Sequence, residues 1–149
     1  MKIGMMSFAH MHANSYANAL TKMKDVQIVG IFDESAERGQ QAAALFGAPY
    51  FNNQEEFLSL HMDAVIVCSE NNRHKEMVIN AAKAKKHILC EKPIATNIED
   101  AKEMIEVCKE QSVILQTAYP VRFSTPIRHL KELIDKGELG EIIAFRTTN

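Results

Sequence analysis

The chain has 149 residues, 46% of them hydrophobic and 24% charged, which are ordinary proportions for a globular protein and exclude a disordered chain. Seventeen basic against nineteen acidic side chains give a formal net charge of −2 with no basic stripe, so nucleic acid is not an expected partner. No apolar run reaches the roughly 18 to 20 residues that a membrane span needs.

The start, Met1-Lys2-Ile3-Gly4, runs directly into a strand-like segment without a leader pattern. Cys68, Cys90 and Cys108 lack CxxC spacing and sit among apolar residues, so they read as reduced core thiols of a cytoplasmic protein. Cys90 lies beside a charged motif, yet no neighbour is placed to activate a thiolate.

Short apolar runs alternate with helix-period segments along most of the chain, the pattern of parallel strands joined by crossover helices. Strands are expected at Ile3 to Ser7, Val26 to Phe32, Ala64 to Cys68, His87 to Cys90 and Val113 to Thr117, with a short one at Pro49 to Phe51. Met77, Val78, Ala81 and Ala82 share one helical face, and Ile98, Ala101, Ile105 and Cys108 share another; both are expected to face the core. Asn97 with Asp100 three residues on marks a helix start near Ile98. A last helix has Pro126 in its first turn, Ile127, Leu130, Leu133 and Ile134 as its apolar face, and Gly137 as its stop. A strand is expected over Glu141 to Thr148.

Site signals cluster where strands end. The segment Ser7-Phe8-Ala9-His10-Met11-His12 occupies the place of a GxGxxG dinucleotide loop, with Ser7, Ala9 and His12 at the glycine positions. Ser and Ala are small enough to substitute in part and His12 is not, so the motif by itself leaves a cofactor loop and a plain strand-helix turn both open. His10 and His12 do not share a helical face and no carboxylate or cysteine accompanies them, so no metal is expected; they are expected to line the cofactor or substrate crevice.

Asp33 closes the second strand, in the register of the acidic residue that binds the adenosine ribose hydroxyls of NAD. Its alternative is a turn or helix-capping role. Glu34 adds a second carboxylate that would repel the 2′-phosphate of NADP, and Arg38 leaves that preference open. Ser69-Glu70-Asn71-Asn72-Arg73-His74 opens a helix at the carboxyl end of the sheet, where ligands bind in such folds, with Asn71 or Asn72 at least its cap. His74 is either a ligand-lining residue or a packing one. Most specific is Cys90-Glu91-Lys92-Pro93, directly after a strand: Lys92 there can set its ammonium beside a substrate oxygen, and Pro93 fixes the backbone that presents it.

On these strings the sequence resembles the Gfo/Idh/MocA family, named for glucose-fructose oxidoreductase, inositol dehydrogenase and a rhizopine catabolism protein. The likeness spans the chain, through Asp33 with Arg38, Asp63 to His74, Ala82 to Pro93, Tyr119-Pro120-Val121-Arg122-Phe123 and Leu133 to Ile142. The resemblance implies a Rossmann domain for NAD or NADP followed by an α/β substrate domain that often mediates oligomerisation. It implies Lys92 as the active-site lysine, Glu91 and Pro93 as its companions near the nicotinamide, and Arg122 as the basic position after the sixth strand. The family's acid-base histidine usually lies in the second domain, so residues 1–149 alone are expected to be inactive. Two departures stand out: all three glycines are replaced, and Glu70 stands where the family commonly has proline.

The expectation is therefore an α/β doubly wound parallel sheet, order 3-2-1-4-5-6, over residues 1–121, with 122–149 forming a connecting helix and the first strand of a second domain. The expected activity is hydride transfer between NAD(H), with NADP as the alternative, and a hydroxyl or carbonyl of a sugar, polyol or related small molecule. A nucleotide-sensing protein that kept the fold and lost turnover is the competing reading.

Overall fold

A computed structural model describes residues 1–147. Six strands form one parallel sheet: β1 (Lys2–Met6), β2 (Gln27–Phe32), β3 (Tyr50–Phe51), β4 (Ala64–Val67), β5 (His87–Glu91) and β6 (Leu115–Ala118). Their order is β3-β2-β1-β4-β5-β6, the expected one. Helices α1 (His12–Leu20), α2 (Ala36–Phe46), α3 (Gln54–Leu58), α4 (His74–Lys83) and α5 (Ile98–Glu110) make the crossovers.

Strand alternation sorts the core into two layers. Ile3, Met5, Ile28, Ile31 and Ile66 face Ala13 and Ala17 of α1 and Ala42 of α2. Met6, Phe32, Val65, Val67, Ile88 and Cys90 face Phe57 of α3, Met77, Val78, Ala81 and Ala82 of α4, and Met104 and Cys108 of α5. The order reverses at β1, with β2 on one side and β4 on the other, and such a switch point opens a crevice at the carboxyl ends of the strands.

Helix ends follow local chemistry in part. Asn97 caps α5 by accepting from the Asp100 N–H at 2.8 Å. Neither Asn71 nor Asn72 caps α4, contrary to expectation. Both lie in a 3-10 turn, Asn71–Arg73, that feeds into α4, with the Arg73 N–H donating to the Glu70 carbonyl at 2.9 Å. The tighter turn takes up the chain where a side-chain cap was expected. The core face of α5 is also displaced: Ile98 and Ile105 are exposed, while Met104 and Cys108 are buried. A residue at the first position of a helix hangs over the turn before it rather than over the sheet, so Ile98 was a poor anchor for the stripe.

Residues Met1–Ala118 form one compact unit and a second begins at Tyr119. In the second, a 3-10 turn, Pro120–Phe123, precedes α6 (Thr125–Asp135), whose Ile127, Leu130, Leu133 and Ile134 are half-buried. Gly137 ends it with φ +72°, as a left-handed stop requires. The strand expected from Glu141 is not formed: Glu141 to Thr147 have no regular structure, and Thr148 lies outside the described residues. A strand exists only through ladder bonds to a neighbour, and none of the described strands pairs with this segment.

At Gly4 the sheet and α3 approach too closely for any side chain. A Cβ there would lie 2.5 Å from Phe57 Cζ and 2.6 Å from Met62 Sδ. Gly4→Ala is therefore expected to destabilise the domain by about 1 to 3 kcal/mol through overpacking, read as a lowered midpoint in urea unfolding. An unchanged midpoint would mean that Phe57 is not held as described.

Candidate active site

Four strand ends build the site, and the loop after β1 is its centre. Ser7 is buried and has φ +70°, the left-handed conformation that the first glycine of the motif normally supplies. Its hydroxyl accepts from Ala9 N–H at 3.2 Å and from Arg38 at 3.4 Å, and its own N–H donates to the Phe32 carbonyl at 2.7 Å. Phe8 is buried against Phe46. The His10 N–H donates to the Cys68 carbonyl at 2.9 Å, joining the loop to the end of β4.

Asp33 follows the last residue of β2, and its carboxylate is engaged within the fold. Its carboxylate is fully buried and accepts four hydrogen bonds, from Phe8 N–H at 2.8 Å, Ser35 N–H at 2.9 Å, and Arg38 Nε and Nη2 at 2.8 Å each. Four donors fill a carboxylate's acceptor sites, so a ribose hydroxyl reaching Asp33 would have to displace one. What faces outward is Arg38, its side chain 34% exposed and its charge favoured first by the Asp33 hydrogen bonds. Glu70 approaches the same guanidinium at 3.8 Å, and Glu34 is paired with Arg73.

Beyond β4, Ser69 is buried while Asn71 and Asn72 are exposed at the crevice edge. His74 is wholly buried, not surface-packed or free to line a ligand: Nδ1 lies 2.9 Å from the Pro93 carbonyl and Nε2 3.3 Å from the Ser69 carbonyl. It ties the loop after β4 to the loop after β5.

Glu91, the last residue of β5, is also fully buried. One oxygen meets His12 Nδ1 at 2.7 Å and accepts from the Tyr16 hydroxyl at 2.7 Å, and the other accepts from the Lys92 N–H at 2.6 Å. Burial opposes its charge, and the hydrogen bonds from His12, Tyr16 and Lys92 overcome that and hold its pKa below the ordinary carboxylate value. Burial, with help from Glu91, pushes the Tyr16 hydroxyl upward. The absence of any carboxylate near His10 and His12, assumed from sequence, is thereby corrected: Glu91 is that carboxylate, 79 residues from His12.

Lys92 itself is exposed, and among the described residues its ammonium has no hydrogen bond or ion pair. Pro93 follows through a cis peptide. Cys90 is buried, and desolvation followed by the Glu91 charge pushes its thiol up to about 12, which rules against a thiolate nucleophile at neutral pH. Arg122 belongs to the second unit, exposed in the turn Pro120–Phe123.

Residues 2–119 match the family described as "Oxidoreductase family, NAD-binding Rossmann fold", Gfo/Idh/MocA. The chain belongs to that family. It is 34% identical to myo-inositol 2-dehydrogenase of Thermotoga maritima, over 100% of this chain and 45% of that protein, and 32% identical to glucose-6-phosphate 3-dehydrogenase of Bacillus subtilis, over 90% and 38%. The structure of the WlbA dehydrogenase from Bordetella pertussis, in complex with NADH and UDP-GlcNAcA, superposes with a TM-score of 0.88 at 28% identity, over 95% of this chain and 43% of that one. The chain thus spans less than half the length of these relatives.

The family's fold is NAD-binding, and the residues of the crevice would fit that cofactor unevenly. Arg38, Asn71 and Asn72 are accessible at the β2 and β4 side of the switch point, and Lys92 at the β5 side. Between them, Phe8 and His10 N–H groups are already spent on Asp33 and Cys68, while Ala9 and His12 donate over longer distances of 3.2 and 3.3 Å. Those two long bonds are the ones a pyrophosphate would recruit.

Tyr16 was missed from sequence. It lies four residues after His12, on the same face of α1, and that spacing was the available signal. Because Glu91 has a lowered pKa, its contribution to stability is present above the unfolded value near 4.5 and is lost as pH falls through the lower folded value. Glu91→Gln is expected to cost about 1.5 to 3 kcal/mol at pH 7, with the difference from wild type shrinking below about pH 4.5. Urea unfolding at a series of pH values checks this; a difference independent of pH would show that the charge is not what matters.

Proposed function

We propose that the chain is the cofactor-binding part of a dehydrogenase that moves hydride between NAD(H) and a hydroxyl or carbonyl carbon of a sugar, polyol or similar small molecule. The observation that carries this reading is Lys92: an exposed, unpaired ammonium on a backbone fixed by a buried carboxylate, at the carboxyl end of β5. The names of the relatives, inositol and sugar-phosphate dehydrogenases, support the substrate class.

In this reading Lys92 donates a hydrogen bond to the reacting oxygen and stabilises its alkoxide form, whose negative charge grows as hydride adds to the carbonyl carbon and is lost as hydride leaves the alcohol carbon. The nicotinamide, when bound, accepts the hydride. Asp33 acts beneath the cofactor by setting Phe8 and Arg38, and Arg38 contacts the adenosine ribose. NAD is the proposed cofactor, and the outward-facing Arg38 leaves NADP as the alternative. Ser69 and Pro93 complete the proposed site from the loops that bear them. The three buried thiols suit a reducing cytoplasm, and the second domain that would supply an acid-base group and subunit contacts lies in the remainder of the relatives' length.

A sensor that binds nucleotide without turnover is favoured by one observation, the spent N–H groups of the loop. Lys92→Met in the full-length protein separates the two readings. The expected outcome is unchanged melting temperature and NADH affinity with turnover lowered at least about 100-fold on the best substrate of a sugar and polyol panel. NADH binding with no substrate oxidised by the wild type would favour the sensor, and loss of stability in the variant would make the lysine structural.

A further inference from the structure

We propose that His10, His12 and Glu91 bind one first-row divalent cation of the Zn2+ type, a site whose existence is independent of hydride transfer. Among the described residues these three offer ligand atoms that all lie within 4.8 Å of one another. Two imidazoles and a carboxylate are a donor set suited to borderline ions such as Zn2+ and Co2+ rather than Mg2+ or Ca2+.

The geometry needs little adjustment. Metal bonds of about 2.0 to 2.1 Å put neighbouring ligand atoms roughly 3 Å apart. His12 Nδ1 and Glu91 Oε1, at 2.7 Å, are already near that separation. An ion there takes the position of the proton between them, and a neutral His12 ring accommodates it by carrying its proton on Nε2. His10 stands edge-on to His12 with ring centroids 4.6 Å apart. Its backbone is pinned, through its N–H to the Cys68 carbonyl at 2.9 Å and its carbonyl accepting from Ala13 N–H at 3.0 Å. Its ring is held only by a long contact, Nδ1 accepting from His12 N–H at 3.3 Å, so the imidazole can turn toward Glu91 without moving the chain.

Two features separate this from a plain hydrogen-bond network. Glu91 is satisfied without His10, so the network gives no reason for a second imidazole beside the first. The carboxylate is also oriented by outer partners, Tyr16 on the ligating oxygen itself and the Lys92 N–H on the other, as a metal-binding carboxylate is. Three protein ligands, two of them half-buried, leave coordination positions open toward the crevice.

The test titrates the chelator-stripped protein with Co2+, followed by its visible d–d absorption, and then displaces it with Zn2+. One equivalent is expected to bind, with a dissociation constant below about 10 μM. His10→Ala, which removes the 3.3 Å contact and the edge-on packing with His12, should keep the melting temperature and weaken binding at least about 10-fold, and His12→Ala should do the same to binding. His61→Ala with His129→Ala should leave it unchanged. Binding no tighter in wild type than in the His10→Ala, His12→Ala double variant would overturn the proposal, as would loss of the signal with His61 and His129. NADH affinity measured on the same samples reports separately on the dehydrogenase reading.

Discussion

A carboxylate withdrawn from water must be surrounded by donors, and Glu91 at the end of β5 imposes that requirement on the whole crevice. Its three partners come from the start of α1, from one turn further along α1, and from its own successor in the chain. Removing water makes each bond strong and makes each orphaned partner costly. Strand β5, helix α1 and the backbone of Lys92 are therefore held in one arrangement. The backbone of Lys92 takes its position from that buried charge.

Asp33 repeats the device on the other side of the switch point. The sequence register put an acidic residue at the end of β2, and the natural inference was a hand held out to the ribose. In the folded chain that hand is closed: Phe8, Ser35 and Arg38 occupy it. Arg38 is thereby turned outward, so the accessible charge at the end of β2 is positive rather than negative. The same carboxylate serves the loop, because its bond to Phe8 N–H accompanies the left-handed turn at Ser7.

What was legible in the sequence followed from periodicity. Parallel strands with both faces covered read as apolar runs, and each came within about two residues of its place, including the short β3. The α4 stripe was right, whereas on α5 both Ile98 at the helix end and Ile105 in its interior face outward and Met104 takes the core position. A single position such as Lys92 could be singled out from its place after a strand, whereas contacts that arise from pairing across the fold could not be read. His74 carries no local mark of its two carbonyl neighbours, and nothing near His12 announces Glu91. Segment 141–147 has the alternation of a strand, but alternation describes a face to be covered, and pairing requires a neighbour.

The replacement of all three glycines then has a physical account. In the usual loop, absent side chains let backbone approach both cofactor and strand. Here the loop is instead sewn down at three strand ends: Phe8 to Asp33 after β2, His10 to Cys68 after β4, and His12 to Glu91 at the end of β5. Each tie uses a group that a glycine loop lacks or leaves free, and together they fix the loop's path through contacts rather than through conformational freedom. Fixing it so draws two N–H groups away from any anion, and the loop's remaining capacity for phosphate rests on the long bonds of Ala9 and His12. Since His12 also completes the Glu91 cluster, whatever binds beside Lys92 and whatever binds at the start of α1 act on the same residue.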